Sequence, residues 1–259
     1  CPFHALKFDG AGCTVLPGSK TKTLPQKQPL ELVVQGDFIW SYGGHEPRLP
    51  IPSVMKEISD TYRFVGHTAD CSVETDLLSM LLIMHDYNHQ NGTHRELFRV
   101  TQVDFQKFID NGHQSHAFFD MVTDKHRLIE KLKKPDLFIL PDTLTAHIEN
   151  HFPSFVILYS KSSFLGKIIQ CHFFIPEAEN RTRTYILLFC QANYLTYKLL
   201  GKSMLNFGKV VVEQDADILN KLYANAPQNI KLNNEVGMDW VKRNFKSFPR
   251  VIAPNLSKS

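Results

Sequence analysis

Residues 81–94 read LLIMHDYNHQNGTH, and two ligand patterns overlap within that stretch. The first is His85-Asp86-x-x-His89. Its histidines are four apart and would share one face of a helix, as in zinc hydrolases where an acid beside the first histidine serves as general base. The second is Asp86-x2-His89-x4-His94. On an unbroken helix His89 and His94 would point roughly 140° apart, so both can face one ion only where the helix stops between them. Asn91-Gly92 supplies the composition of such a stop. Two histidines and a later carboxylate form the ligand set of non-haem Fe(II) oxygenases, which leaves positions open for O2 and substrate. Leu77, Leu78, Leu81 and Leu82 recur at helical spacing, so the stretch closes a buried helix spanning about residues 74–90. A buried carboxylate and imidazole are costly unless they are paired or ligating, which favours a site over coincidence.

Working outward, TYRFVGHTAD (61–70) reads as a strand entering that helix, with Ser72 or Thr75 as its cap. Residues 96–134 read as helical pieces and loops. His113, His116 and His126, with Asp110 and Asp120, fall there as solvated or supporting groups without tight ligand spacing. Residues 137–199 are rich in β-branched and aromatic residues, and PEAENR (176–181) marks a hairpin turn. A sheet gripping a long helix encloses an apolar pocket. Val210–Val212 read as a strand end, followed by a helix with Asp215 and Asp217 in its first turn, where acids suit the helix dipole. Trp240 and Phe245 dock a last amphipathic helix, and the tail after it is loose. Towards the start, two short strands flank Gly36-Asp37. The proline-rich HEPRLPIP (45–52) then divides the chain into domains 1–45 and 46–259.

Composition narrows the possibilities. A net charge of +3 over 259 residues, with no basic run interleaved with aromatics, argues against nucleic acid. No apolar run approaches the roughly 18 residues that a membrane span needs. Five scattered cysteines do not make a disulfide framework and suit a reducing compartment, hence the cytoplasm, or a plastid in a photosynthetic eukaryote. No phosphate-binding glycine motif or nucleophile elbow occurs.

The first eighteen residues add a third motif. Cys1-Pro2-Phe3-His4, followed by Phe8-Asp9-Gly10, Gly12, Cys13 and Pro17, closely resembles the second half of a Rieske [2Fe–2S] motif, in which two cysteines hold one iron and two histidines the other. With Asp86-x2-His89-x4-His94 and Glu213-Gln214-Asp215, the chain resembles the α subunit of Rieske-type ring-hydroxylating oxygenases. The three motifs stand in family order.

That resemblance implies an α+β fold: part of a β Rieske domain, then a helix-grip (START-like) catalytic domain with an antiparallel sheet around a long helix. It implies Cys1 and His4 as cluster ligands, with Cys13 not ligating. It implies His89, His94 and Asp215 as ligands of a mononuclear Fe(II), with Asp217 as the alternative carboxylate. Asp86 becomes the electron bridge from the cluster of a neighbouring subunit in a homotrimer. Electrons would come from NAD(P)H through a reductase, sometimes a ferredoxin, and O2 would oxidise an aromatic or other hydrophobic ring compound.

The chain departs from the pattern at two points. The upstream C-x-H half of the cluster motif does not precede Cys1, so the expectation is a truncated chain that lacks half the protein ligands. Leu81-Leu82-Ile83 stands where many members carry an acid and an asparagine. Two other readings remain: a hydrophobic-ligand-binding helix-grip module with a decayed iron site, and a zinc hydrolase using His85, Asp86 and His89.

Overall fold

Two small antiparallel hairpins lie in the first of two units of the chain, residues 1–61. The computed structural model describes residues 7–9, 13–15, 18, 31–42, 49–124, 126–133, 137, 143–162, 166–221 and 235–248. Strands β1 (Lys7–Phe8) and β2 (Thr14–Val15) pair, and the backbone N–H of Cys13 donates to the Asp9 carboxylate at 3.0 Å. Strands β3 (Val33–Gln35) and β4 (Phe38–Trp40) flank the expected Gly36-Asp37 turn. Gly36 has φ of 59°, in the left-handed region that a two-residue hairpin loop requires and glycine supplies without penalty. Helix α1 (Val54–Thr61) closes the unit. Cys1 and His4 lie outside the described residues, as does the tail after 248.

The second unit, residues 62–259, is α+β, as the sequence implies. Strand β5 (Arg63–Val73) leads into α2 (Leu77–His85), a 3-10 turn at His89–Asn91 and the short α3 (Arg95–Phe98). Strands β6 (Val100–Asn111) and β7 (Gln114–Thr123) follow, then α4 (Leu128–Lys133). Strands β8 (Thr143–His151), β9 (Phe155–Ser162), β10 (Gly166–Ala178) and β11 (Arg181–Cys190) complete one sheet. The last elements are α5 (Tyr194–Lys221) and α6 (Val236–Ser247). The seven strands run in the order β5-β11-β10-β9-β8-β7-β6, every neighbour antiparallel. Consecutive strands β5 and β6 therefore occupy opposite edges. The link between them, which carries α2, the 3-10 turn and α3, has to cross the sheet. Among the described residues no helix is long and apolar enough to cross a membrane.

Three expectations need correction. Residues 100–123 form a long hairpin, not helical pieces: along β7, Ser115, Ala117, Phe119 and Met121 are buried and alternate with more accessible residues, the period of a half-buried strand. Helix α2 begins later and ends sooner than residues 74–90. Its cap is Asp76, whose carboxylate accepts the Ser79 N–H at 2.9 Å, and Asp86 closes it. Finally, Val210–Val212 are helical. Helix α5 runs unbroken for 28 residues, because a stripe of Gly201, Met204, Gly208, Val212 and Leu219 packs inward and outweighs the β preference of three valines. The hairpin at 176–181 and the final helix stand as expected, with Trp240 buried and its indole N–H donating to the Gly112 carbonyl at 2.9 Å.

Candidate metal centre

The end of α2 sets the geometry. Asp86 donates its backbone N–H to the Ile83 carbonyl, while its carboxylate accepts the Asn88 N–H at 3.0 Å, a local turn that stops the helix. His89 then opens the 3-10 turn. The N–H groups of Gly92 and Thr93 both donate to the His89 carbonyl, at 3.0 and 2.8 Å, and His94 caps α3. His89 and His94 thus come from successive turns, with ring centroids 5.4 Å apart. The helix does end before His94, but six residues ahead of Gly92, so His85 and His89 do not share a helical face. His85 instead points its Nδ1 at the Leu81 carbonyl at 2.7 Å and stacks on Trp240, the centroids 5.6 Å apart. The zinc pattern loses its first ligand.

Asp215 arrives from α5. Position 215 follows Gly201 and Gly208 at intervals of seven, so it lies on the stripe facing the sheet rather than in a first turn. Gly208 lets the helix approach closely, since a Cβ there would stand 2.7 Å from the Thr68 methyl. Asp217, about 200° round the helix, is exposed and pairs with Lys221. Only Asp215 reaches the histidines.

The ligand atoms of His89, His94 and Asp215 lie within 4.8 Å of one another. His94 Nε2 is 3.0 Å and His89 Nε2 3.8 Å from Asp215 Oδ1. Metal–ligand bonds of about 2.1 Å at right angles place adjacent ligand atoms about 3 Å apart, so small adjustments suffice. Both imidazoles are oriented for the task. His94 Nδ1 donates to Gln214 Oε1 at 2.7 Å, and His89 Nδ1 donates to the Asp86 backbone carbonyl, so each Nε2 keeps its lone pair for the centre. The Gln90 amide donates to His89 Nε2 at 2.8 Å and would have to give way. His94 Nε2 and Asp215 Oδ1 are buried without a hydrogen-bond partner, a costly arrangement that a divalent cation would relieve. Burial holds His89 below its usual value against the pull of Asp215, which keeps it neutral, the ligating form. The donor set fits a mononuclear metal ion.

Beside the centre is a cavity of about 150 Å³, the size that accommodates a benzene ring in an apolar core. Its walls come from α2 (Met80, Ile83, Met84), α5 (Met204, Val211, Val212) and the inward residues of the sheet. His89, Asp215, Gln90 and His172 line it too.

The remaining predicted residues fall elsewhere. The Asp86 carboxylate is half-buried and bonded to Asn88, and the residue reaches His89 through its backbone carbonyl. His116 contacts His147, His126 Nε2 donates to the Leu97 carbonyl at 3.0 Å, and Asp110 pairs with Arg243. Gln214 and His172 escaped the sequence reading. Gln214 could have been suspected from its place beside Asp215, whereas a lone histidine in an apolar strand carries no signal.

No protein-family model matches the chain, and no curated protein matches it in sequence. Its fold is shared with solved structures of low identity. A crystal structure of dicamba monooxygenase bound to dicamba superposes with a TM-score of 0.65 at 16% identity, over 95% of this chain and 78% of that one. Dicamba monooxygenase with non-heme iron and dicamba gives 0.59 at 16% identity, over 95% and 77%. NdmB of Pseudomonas putida CBB5 gives 0.61 at 14% identity, over 94% and 69%. At such identities the likeness establishes the fold.

Proposed function

We propose that this chain is the oxygen-activating part of an oxygenase, in which His89, His94 and Asp215 hold a single Fe(II) beside an apolar substrate cavity. One observation carries the reading. Two histidines and one carboxylate from separate elements converge, and two of their buried atoms have no hydrogen-bond partner. Two histidines and a carboxylate on one face of an ion leave the opposite positions free. The motif order that resembles Rieske-type oxygenases, and a fold shared with a monooxygenase solved with non-heme iron, support it.

Iron bound here would supply O2 activation. The protein's own part is orientation and exclusion. The Gln214 amide oxygen and the Asp86 carbonyl fix both imidazoles in the tautomer that presents Nε2. The cavity's methionine, leucine and phenylalanine side chains hold an apolar substrate and keep water from the reacting groups. By the resemblance, Cys1 and His4 would be among the ligands of a [2Fe–2S] cluster that would supply electrons, and Asp86 would stand on the route between that cluster and the centre. A reductase, with or without a ferredoxin, supplies NAD(P)H electrons to a homotrimer. These assignments rest on the resemblance.

Anaerobic titration with Fe(II) tests the proposal. One iron should bind per chain, and His94→Ala or Asp215→Ala should abolish stoichiometric binding. Asp86→Ala should keep its iron yet lose substrate oxidation. Absence of stoichiometric iron in the unaltered chain would replace the oxygenase by a hydrophobic-ligand-binding module.

A further inference from the structure

His172 lies on β10 and lines the cavity with its ring only 6% exposed. Its neighbours across the sheet are Val156 on β9 and Ile186 on β11, and Phe174 follows on the same face of the strand, ring centroids 6.2 Å apart. Nε2 is buried without a hydrogen-bond partner. A buried imidazole nitrogen left unpaired costs about 1–3 kcal/mol, and an apolar side chain would fill the position without that penalty. The metal centre has no use for it, since His89, His94 and Asp215 already complete the donor set. Burial pushes the imidazole down to about 4, against the pull of Asp215, so at neutral pH the ring is uncharged and offers one N–H and one lone pair.

The charge around the cavity narrows what could meet that ring. No arginine lines the cavity among the described residues, and the one lysine that does, Lys161, is exposed. In the metal-free protein an anionic group deep in the cavity would therefore face the Asp215 carboxylate with no buried cation to offset its lost hydration, whereas Fe(II) at the centre would outweigh that single carboxylate. A neutral hydroxyl or carbonyl would lose far less hydration and would regain a hydrogen bond.

We infer that His172 is a specificity-determining residue that anchors a ring compound through one hydrogen-bonding group, a hydroxyl or carbonyl, with the ring held by the apolar walls. The inference rests on the oxygenase reading for the bound molecule being a substrate, but not for its binding.

Three probes of one shape separate the possibilities: toluene, p-cresol and p-toluate. Their affinities are measured by calorimetry under anaerobic conditions, on the full chain with a chelator and again with Fe(II). The unaltered protein should bind p-cresol at least as tightly as toluene, although the phenol is the better hydrated in water, and with chelator present it should bind p-toluate the most weakly. His172→Leu should lower the p-cresol-to-toluene affinity ratio on the order of tenfold, since the phenolic group loses its partner. Affinity for toluene should hold or rise. His172→Gln should restore part of the ratio, which a purely structural role would not do. The inference is overturned if p-toluate binds more tightly than p-cresol to the chelated protein, or if His172→Leu leaves the p-cresol-to-toluene ratio unchanged while circular dichroism shows the variant folded. Should His172→Leu fail to fold, the order of the three probes on the unaltered protein decides alone. One iron per chain with an unchanged ratio would sink this inference and spare the oxygenase. A shifted ratio without stoichiometric iron would do the reverse.

Discussion

Two histidines in the second unit should make its stability fall steeply in mild acid. His85 and His172 are 1% and 6% exposed, and burial pushes each from the usual 6.5 down to about 4. The sign follows from proton counting. Between pH 6.5 and 4 the unfolded chain binds protons at these positions and the folded chain does not, so acid favours unfolding. The stabilising contribution is fully present above pH 6.5 and is lost as pH falls toward 4. Each pH unit is worth about 1.4 kcal/mol per group, so lowering the pH from 7 to 5 removes about 2 kcal/mol per histidine. For the pair that is about 4 kcal/mol, a large share of the 5–15 kcal/mol by which domains are typically stable. His89, also held below its usual value by burial, acts in the same direction. The assay is urea unfolding at pH 7 and pH 5 with chelator present, so that loss of metal does not enter. The comparison is with His85→Phe, which keeps a ring against Trp240, combined with His172→Leu. The double variant should lose about 4 kcal/mol less than the parent between the two pH values. An equal loss in both proteins would refute the assignment of the acid sensitivity to these rings.

Other consequences can be checked independently. Asp217→Asn should leave Fe(II) affinity within twofold, because its carboxylate pairs with Lys221 in solvent, while Asp215→Asn should weaken it by more than tenfold in the same titration. Gln214→Leu frees His94 to adopt the other tautomer, and loss of such an orienting partner weakens metal binding about 10- to 100-fold, readable by competition with a chromophoric chelator. Gly208→Val would drive a side chain into Thr68, which stands 2.7 Å from even a Cβ. Overpacking of this kind costs about 1–3 kcal/mol, seen as a lowered urea midpoint, and it should loosen iron binding because α5 carries Asp215. Trp240→Ala removes a fully buried indole that touches His85 and Phe152 and should cost about 3–5 kcal/mol in the same unfolding assay.

What the sequence revealed and what it hid have separate physical causes. Ligand spacing was legible because it is local: Asp86, His89 and His94 lie within nine residues, and the chain must turn between the histidines for them to meet. The position of the turn was not legible. The leucine pattern ends at Leu82 and does not mark where the helix stops beyond it; it stops at His85 because the Asp86 carboxylate takes the Asn88 N–H, a competition between side chain and backbone that periodicity does not register. The long hairpin of β6 and β7 did leave a signal in Asn111-Gly112, where Gly112 takes φ of 76°. Histidines and aspartates on the outward positions of the hairpin obscured the alternation. Helix α5 was misread at Val210–Val212, where local propensity favours a strand and packing against β5 decides otherwise.

The course of α5 bears on the centre itself. Asp215 was expected in the first turn of a helix, where an acid needs no other explanation. It lies instead in the penultimate turns of a 28-residue helix, close to the end that carries the negative pole of the helix dipole. A carboxylate there gains nothing from the helix, and its Oδ1 is buried without a hydrogen-bond partner. The helix dipole and the missing hydrogen-bond partner both count against this position, and the stripe of Gly201 and Gly208 holds it against the sheet regardless. A cation shared with His89 and His94 accounts for the position and for the two unpartnered atoms together. In a purely structural protein, replacing Asp215 by leucine should raise stability, because it removes a carboxylate from the wall of a largely apolar cavity. In an iron protein the same change should stabilise the chelated form and remove the iron-dependent rise in melting temperature. Melting curves with and without Fe(II) therefore separate the two accounts, and an unchanged iron-dependent rise in Asp215→Leu would rule the carboxylate out as a ligand.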